Sequence, residues 1–290
     1  MIIPVAGLGT RVLPASKVIP KEMLPVVDKP VIQYVIEEAI DAGFREIILV
    51  TRPGKESIEN HFQPHDELEA VLASKNKDAL LASVRDMLPD DVTLSSVFQD
   101  KPRGLGHAVL CAAELIGDED FAVTLPDVLV YHPDGDHAHD LKALVAAFDR
   151  SNSAQIMVEA VDEALVCNYG IVDCAGASFQ PGESHDIVAM VEKPPVDEAP
   201  SNQSIIGRYI LPAKTMDLLR ETKPGAGGEI QLTDAINALI GDLPVQASSM
   251  QGRTCDCGSK LGYLIANITF GLQHPEIGGN LADWIRQQEL

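Results

Sequence analysis

The sequence is short of positive charge. Its 290 residues contain 22 lysines and arginines against 43 aspartates and glutamates, which gives a formal net charge of -21. Such an acidic chain has no long-range attraction for nucleic acid or for an anionic membrane, so we expect neither as a partner. An anionic small molecule would have to be held by a local cluster of cations within this negative field.

Cysteine and long apolar runs are also scarce. The five cysteines form neither a paired framework nor the four-ligand pattern of a zinc site: Cys111, Cys167, Cys174, Cys255 and Cys257. We therefore expect a reducing, cytoplasmic location. No apolar run approaches the roughly 20 residues that cross a bilayer. Met1 leads directly into an apolar run, so no signal peptide is expected.

Apolar segments alternate between strand-like and helix-like periods along the first half of the chain. This alternation predicts an α/β fold, a Rossmann-like and mostly parallel mixed sheet flanked by helices. Beyond about residue 165 the pattern becomes strand-rich, and helices return at the end. We predict one domain over residues 1–290, made of a first part (1–163), a smaller strand-rich part (164–258) and C-terminal helices (259–290).

Several individual elements can be predicted from these periods. We predict strands over Ile2–Ala6, Glu46–Arg52 and Phe121–Leu125, helices over Pro30–Ala42, Leu105–Ile116 and Glu229–Ile240, and over His65–Leu88 either one long helix or a broken pair. Ligands of parallel sheets bind at the carboxyl ends of strands. The first strand opens into a glycine turn and the third stops at Pro126-Asp127, so both ends point to one cleft.

The glycine turn Gly7-Leu8-Gly9 is the strongest local signal. Glycine lets the chain turn sharply and leaves no side chain between the backbone N–H groups and a ligand. Three cations, at Arg11, Lys17 and Lys21, follow within the next residues. An anion is the natural occupant of such a turn, and a nucleotide phosphate fits best.

Two better-known glycine loops are excluded. The loop of kinases and ATPases needs four residues between its glycines and then Gly-Lys-Ser/Thr, and neither feature is present. The dinucleotide loop needs a third glycine where Val12 stands and an immediate helix, which Leu13-Pro14 interrupts. A tight turn without a ligand would explain the glycines but not the three cations.

A run of motifs resembles the sugar-1-phosphate nucleotidyltransferases over nearly the whole length and in the family's order. They are PVAGLGTRVLPASKVIPKEMLPVVDKPVIQYVIEEA, FQDKPRGLGHAV, LPDV, NYGIV, VEKP, GRYIL, GGEIQLTDAI and DCGSKLGY. The resemblance implies the nucleotidyltransferase fold, a Mg²⁺ cofactor and attack of a sugar phosphate on the α-phosphorus of a nucleoside triphosphate. The wording PVAGLGTR and the insertion His65–Asp91 favour the uridylyl branch, which converts UTP and glucose 1-phosphate to UDP-glucose and pyrophosphate.

The resemblance also implies roles for individual residues. Arg11 and Lys21 match residues on the triphosphate, and Lys193 matches the lysine on the sugar's phosphate. The positions matching nucleotide contacts are Ala6 and Gly7 at base and ribose, Gly9 at the phosphate turn, and Gln99 and Gly104 at the pyrimidine edge. Those matching sugar contacts are Gly170, Glu192 and Gly207. Without the resemblance, Lys21 reads as a solvated lysine and Glu192–Lys193 as a surface ion pair.

Two aspartates match metal positions of the family. Asp127 can supply a carboxylate to Mg²⁺, although a turn or helix-capping aspartate after Pro126 is the alternative from the residues alone. Asp256 matches a second metal-proximal aspartate, but Cys255 stands where the family more often has Tyr. We expect His107 to pack or cap near the nucleotide turn and not to act as a base.

Two rival functions remain open at this stage. A sister transferase for thymidylyl or another sugar is one, because uracil and thymine share the edge that Gln99 would contact. A non-catalytic homologue that binds a UDP-sugar is the other, and only the Cys255 departure favours it. The resemblance further implies a homodimer or homotetramer, in which the C-terminal helices could make subunit contacts.

Overall fold

The computed structural model describes residues 1–288 as an α/β fold, so Glu289 and Leu290 of the predicted C-terminal segment lie outside the described residues. The strands are β1 (Ile2–Pro4), β2 (Pro25–Val26), β3 (Lys29–Pro30), β4 (Glu46–Thr51), β5 (Thr93–Phe98), β6 (Phe121–Thr124), β7 (Val128–Tyr131), β8 (Ala154–Ala160), β9 (Gly170–Asp173), β10 (Ser184–Asp186), β11 (Ala189–Glu192), β12 (Gln203–Leu211), β13 (Val245–Ser249) and β14 (Arg253–Asp256). The helices are α1 (Val31–Asp41), α2 (Glu56–His61), α3 (Asp66–Ser74), α4 (Asp78–Arg85), α5 (Leu105–Cys111), α6 (Ala113–Ile116), α7 (His139–Ser151), α8 (Lys214–Glu221), α9 (Leu232–Leu239), α10 (Lys260–Gln273) and α11 (Gly278–Arg286).

The central sheet has the strand order β10-β13-β8-β12-β6-β1-β4-β5. Strand β12 runs antiparallel to both of its neighbours, and β10 runs antiparallel to β13. The other strands on this path run in one direction. Strands β9 and β11 form an antiparallel pair that joins the sheet through β12. The predicted mostly parallel mixed sheet is confirmed.

Side-chain alternation along the central strands separates two cores. Ile3 and Leu49 point to the face covered by α1, whereas Ile2 and Ile48 point to the face covered by α5 and α9. Burial of each such side chain stabilises the fold by about 1.5–3 kcal/mol. Helices therefore cover both faces, as the alternating pattern predicts. No helix among residues 1–288 has the length and apolar character needed to span a bilayer.

Some element predictions need correction. The segment His65–Leu88 is the broken pair, since Asn76 takes a left-handed φ of 51° between α3 and α4. The helix predicted from Glu229 begins only at Leu232, because Ile230 N–H is bound to the main-chain oxygen of Arg103 at 2.7 Å. Strands β7 and β14 were not predicted from the pattern, and they pair into a small separate sheet.

The carboxyl ends of three parallel strands form one edge of the large sheet. The glycine turn follows β1, Gln99 follows β5, and Asp127 lies two residues beyond Leu125 after β6. On the far side of β6, the pair β9 and β11 continues this region through β12. The residues predicted to bind base, phosphates, metal and sugar are thus arranged in that order around the sheet edge.

Candidate active site

The glycine turn presents a row of unpaired backbone donors. The N–H groups from Ala6 through Arg11 donate no hydrogen bond within residues 1–288, whereas Val5 N–H just before them pairs with Val50 at 2.8 Å. Ser16 Oγ donates to the main-chain oxygen of Gly9 at 2.6 Å and holds the turn. Free N–H groups in a concave turn form an anion site.

Asp127 is the charged centre beside this turn. Lys21 Nζ donates to Asp127 Oδ2, and Arg11 Nη2 lies 3.4 Å from the same oxygen. The Asp127 and Lys21 side chains are 11% and 15% exposed, whereas that of Arg11 is 62% exposed. The structure therefore brings together three of the predicted residues at one strand end, with Arg11 on the solvent side.

Asp256 reaches the same cluster through the small sheet. Strand β14 pairs with β7 so that Asp256 lies opposite Val128, and Cys257 N–H donates to the main-chain oxygen of Asp127 at 2.7 Å. Arg11 Nη1 then bridges to Asp256 Oδ2 at 3.2 Å. The two aspartates predicted from the resemblance are thus neighbours, and Cys255 is buried in the core beneath them.

Charge balance sets the protonation of Asp127. Burial alone raises its pKa, but the positive charges of Lys21 and Arg11 outweigh burial and hold the pKa below its usual range. Asp127 is therefore an anion at neutral pH. Its pairing with Arg11 is weak, since Arg11 is largely in water and such contacts contribute little to stability.

Gly258 leaves a cradle between the two carboxylates. A Cβ at this position would lie 2.4 Å from Asp127 Oδ2, 2.9 Å from Asp256 Oδ1 and 2.4 Å from Arg11 Nη2. Any larger residue would fill the space toward which both carboxylates point. Glycine here keeps open a space that both oxygens border, while Asp127 Oδ2 accepts a hydrogen bond from Lys21 and Asp256 Oδ1 accepts one from the Gly258 N–H at 2.9 Å.

Gln99 and Gly104 lie together at the end of β5. Gln99 is buried, and its Nε2 donates to the main-chain oxygen of Gly104 at 3.3 Å and to His107 Nδ1 at 2.9 Å. Arg103 O and Gly106 N–H, on either side of Gly104, form backbone hydrogen bonds with Ile230. The GGEIQLTDAI segment therefore supports this loop structurally.

Glu192 is the last residue of β11 and the register partner of Gly170 on β9, and Lys193 follows directly after the strand. Thr233 Oγ1, from α9, donates to Glu192 Oε2 at 2.7 Å, and Lys193 Nζ lies 3.3 Å from Glu192 Oε1. Burial and the charge of Glu192 raise the pKa of Asp234. Lys193 has a left-handed φ of 47°, an uncommon conformation for a residue with a Cβ.

Gly207 has an internal reason to be glycine. Its φ is 80°, at the point where the register between β12 and β8 shifts, and a Cβ there would lie 2.5 Å from the Leu125 side chain. Leu125 N–H also donates to the main-chain oxygen of Gly207 at 2.9 Å. This packing requires glycine without any ligand.

Comparison with known proteins identifies the family. The nucleotidyl transferase family model matches residues 1–270. The chain belongs to the nucleotidyl transferase family. Among curated relatives of this nucleotidyl transferase, a UTP--glucose-1-phosphate uridylyltransferase of Escherichia coli K12 is 51% identical over 288 residues, which cover 99% of this chain and 95% of that relative. The resemblance stated from the motifs is confirmed.

Solved structures are similar over the same length. A structure described as UTP-bound UGPase from Acinetobacter baumannii is 52% identical, with a TM-score of 0.92 and coverage of 99% of this nucleotidyl transferase and 98% of that chain. A UDP-glucose pyrophosphorylase complexed with UDP-glucose is 38% identical, with a TM-score of 0.83 and coverage of 94% and 98%.

One supporting charge pair of this nucleotidyl transferase was missed by sequence reasoning. Lys55 Nζ donates to Glu22 Oε2 at 2.8 Å and to the main-chain oxygen of Val5 at 2.5 Å, and both side chains are buried. Burial raises the pKa of Glu22 and lowers that of Lys55. The pair ties the turn that carries Lys21 to the end of β1. The position of Glu22 directly after Lys21 was the only available signal.

A second missed pair lies under Asp127. Arg208 is fully buried and donates from Nε and Nη2 to the two carboxylate oxygens of Glu38, at 3.1 and 2.6 Å. The sequence signal was a lone arginine in the apolar strand segment IIGRYIL. An arginine in a buried strand needs a partner, and here the partner comes from α1.

Proposed function

We propose that this nucleotidyl transferase transfers a uridylyl group from UTP to glucose 1-phosphate and releases pyrophosphate. One observation carries the proposal: six unpaired N–H groups, Lys21 and Arg11 meet an ionised Asp127 at the sheet edge, between a polar loop at Gln99 and a Glu192–Lys193 pair. The relative from Escherichia coli that is 51% identical to this chain is named for this activity. Similar structures were solved with UTP and with UDP-glucose.

The proposed reaction is an in-line displacement. An oxygen of the glucose 1-phosphate group forms a bond to the α-phosphorus of UTP, and the bond from that phosphorus to the β-phosphate oxygen breaks. Pyrophosphate leaves with that electron pair. The nucleophile is already largely ionised near neutral pH, because the second pKa of a phosphate ester is about 6. Alignment and charge neutralisation are needed, and a general base is not.

The chain's own groups supply both requirements. The N–H row from Ala6 to Arg11 would bind triphosphate oxygens. Lys21 has a fixed position against Asp127 and would place one positive charge beside them. Arg11 is exposed, so it can leave the carboxylates at little cost and bind phosphate oxygens as a fork.

The acceptor sugar phosphate would bind at β9 and β11. Lys193 would pair with its phosphate and Glu192 would accept hydrogen bonds from sugar hydroxyls. Glu192 is only 15% exposed and is held by Thr233, so its orientation is set before the sugar arrives. We accordingly assign nucleotide binding to residues 1–163 and sugar-phosphate binding to residues 164–258.

Asp127 and Asp256 fit a magnesium ion. Both are oxygen ligands, and oxygens of both border the space that Gly258 leaves open. Among residues 1–288 no group of three or more aspartate, glutamate, histidine or cysteine side chains is placed to hold a metal ion, so phosphates and water would supply the remaining ligands at this site. A bound Mg²⁺ would neutralise charge on the triphosphate and on the leaving pyrophosphate.

We also propose that the protein is a homo-oligomer in the cytoplasm. Helix α10 exposes a stripe of apolar side chains at helical spacing: Leu261, Leu264, Ile265, Ile268 and Leu272. Trp284 of α11 is 59% exposed as well. Such a surface is typical of a subunit contact. The five cysteines are free thiols, which suits a reducing compartment.

Pyrophosphate release by the purified protein tests the proposal. UTP, dTTP, CTP and ATP are each supplied with Mg²⁺ and with glucose 1-phosphate or galactose 1-phosphate. Release dominated by UTP with glucose 1-phosphate is expected. Preference for dTTP would assign the protein to a sister activity. No release from any pair, together with measurable binding of UDP-glucose, would assign it to non-catalytic binding.

A further inference from the structure

The side-chain amide of Gln99 has one orientation compatible with its neighbours. The main-chain oxygen of Gly104 can only accept a hydrogen bond, so the amide edge facing it at 3.3 Å must be the N–H₂ group. That same nitrogen lies 2.9 Å from His107 Nδ1, to which it presents its second proton. His107 Nδ1 is therefore the acceptor, and the imidazole proton is on Nε2.

His107 is suited to keep a lone pair on Nδ1. Burial and the positive charge of Arg103 lower the pKa of His107, which keeps the ring neutral near pH 7. The thiol of Cys111 also lies near Nδ1, but at 3.9 Å. Gln99 Nε2, 1 Å nearer and a stronger donor, is the main partner.

The opposite edge of the amide is available to a ligand. Gln99 Oε1 makes no hydrogen bond within residues 1–288, and although the residue is buried this atom keeps contact with solvent. The N–H of Gly104 also donates no hydrogen bond within that range. Gln99 and Gly104 therefore offer one unpaired acceptor and one unpaired donor where the nucleobase is expected.

We propose that His107 is a positioning residue, which fixes the Gln99 amide with its oxygen toward the nucleobase and thereby selects uracil over cytosine. At ring position 3, uracil carries an N–H that can donate to Gln99 Oε1. Cytosine carries a lone pair there, which the oxygen repels. Without an acceptor at position 107 the amide keeps only the longer hydrogen bond to Gly104, so turning over to offer N–H to cytosine costs less. This inference rests on the proposed function, because it assigns selectivity to the same nucleotide site.

Steady-state kinetics with UTP and CTP test the inference in matched variants. In His107→Leu we expect the ratio of kcat/KM for UTP to that for CTP to fall by about tenfold, the value of one hydrogen bond, mainly through KM. In His107→Asn the side-chain oxygen of the asparagine can replace Nδ1 as the acceptor for Gln99, so most of the ratio should be kept. Cys111→Ala is the control and should keep all of it.

The outcomes separate this inference from the proposed function. If the unsubstituted protein does not turn over UTP, the proposed function fails. If it does and His107→Leu keeps the full ratio, only the role of His107 fails. Nitrogen-15 spectra of the folded, unsubstituted protein give a second test, with the His107 signal assigned through His107→Asn. An unprotonated Nδ1 is expected, and a proton on Nδ1 at pH 7.5 would overturn the inference.

Discussion

Arg208 donates a hydrogen bond from Nη2 to the main-chain oxygen of Val128 at 2.7 Å. Its Nη1 also approaches the main-chain oxygen of Leu125 at 3.4 Å, so one buried guanidinium contacts the chain on both sides of Pro126-Asp127. Glu38 neutralises its charge. The segment that carries Asp127 is therefore held on a charged support that is buried inside the protein.

This support predicts a large effect of Glu38→Gln on stability. The change would leave the Arg208 charge buried without its partner, and we expect the free energy of unfolding to fall by about 3–5 kcal/mol. The double variant Glu38→Leu/Arg208→Met removes both charges and should recover most of that loss in urea unfolding. Its half-saturating Mg²⁺ concentration should nevertheless rise, because Asp127 loses its support. An unchanged Mg²⁺ requirement would contradict the positioning of Asp127 by Arg208.

Asp127→Asn should reduce turnover by at least about 10²-fold, since a proposed carboxylate ligand of Mg²⁺ is lost. The exposed Asp149 on α7 offers a matched control, and Asp149→Asn should leave turnover unchanged. Circular dichroism would verify that both variants are folded. Full recovery of the Asp127→Asn rate at saturating Mg²⁺ would show that the carboxylate has no catalytic part.

The same residue predicts a dependence of stability on pH. Lys21 and Arg11 overcome burial and lower the pKa of Asp127 in the folded protein, so the unfolded chain binds the proton first as pH falls. The contribution of Asp127 is full above its unfolded pKa, about 3.9, and is lost as pH falls through the lower folded value. The unfolding free-energy difference between the wild-type protein and Asp127→Asn should therefore shrink progressively as pH falls below about 5. A difference that stays constant would refute this assignment.

Two variants of Lys193 separate the effect of its strained backbone on stability from the effect of its charge on substrate binding. Lys193→Ala and Lys193→Gly both remove the ammonium, so both should raise KM for glucose 1-phosphate more than KM for UTP. Only glycine accepts a φ of 47° without cost, so the Gly variant should be more stable than the Ala variant by about 1 kcal/mol. Equal effects on the two KM values would remove Lys193 from the sugar-phosphate site.

The apolar stripe on α10 predicts self-association. Leu264→Asp/Ile268→Asp should lower the mass measured by light scattering to that of one chain, because aspartates would be buried in the contact. Leu80→Asp on α4 is the control, since Leu80 is a similarly exposed leucine away from this stripe. The proposed contact is wrong if the double variant keeps the mass of the unsubstituted protein.

The parts of the site that follow directly from strand patterns could be predicted from the sequence. Ile2–Ala6 and Phe121–Leu125 are recognisable buried strands, and parallel strands place their carboxyl ends at one edge, so the meeting of the glycine turn with Asp127 could be predicted. Asp256 came only from resemblance, because RTCD lacks an alternating pattern and β14 is defined by its pairing with β7.

The buried ion pairs could not be predicted from local sequence patterns. Arg208 and Glu38 are 170 positions apart, and Lys55 and Glu22 are 33 apart, so no helix or strand period relates them. Most charged side chains are solvated, so a single charged residue in the sequence does not indicate a buried partner. The fold is needed to show that these four residues form two buried ion pairs. The orientation of the Gln99 amide likewise depends on a histidine of α5 and the loop before it.

The most direct test of the account follows oxygen atoms through the reaction. The purified protein, Mg²⁺ and unlabelled UTP are mixed with glucose 1-phosphate that carries oxygen-18 in its non-bridging phosphate oxygens, and the products are read by phosphorus-31 spectroscopy. We predict UDP-glucose with the label in the oxygen that bridges its two phosphorus atoms, and unlabelled pyrophosphate. Label in the pyrophosphate, or no UDP-glucose at all, would contradict attack of the sugar phosphate on the α-phosphorus of UTP.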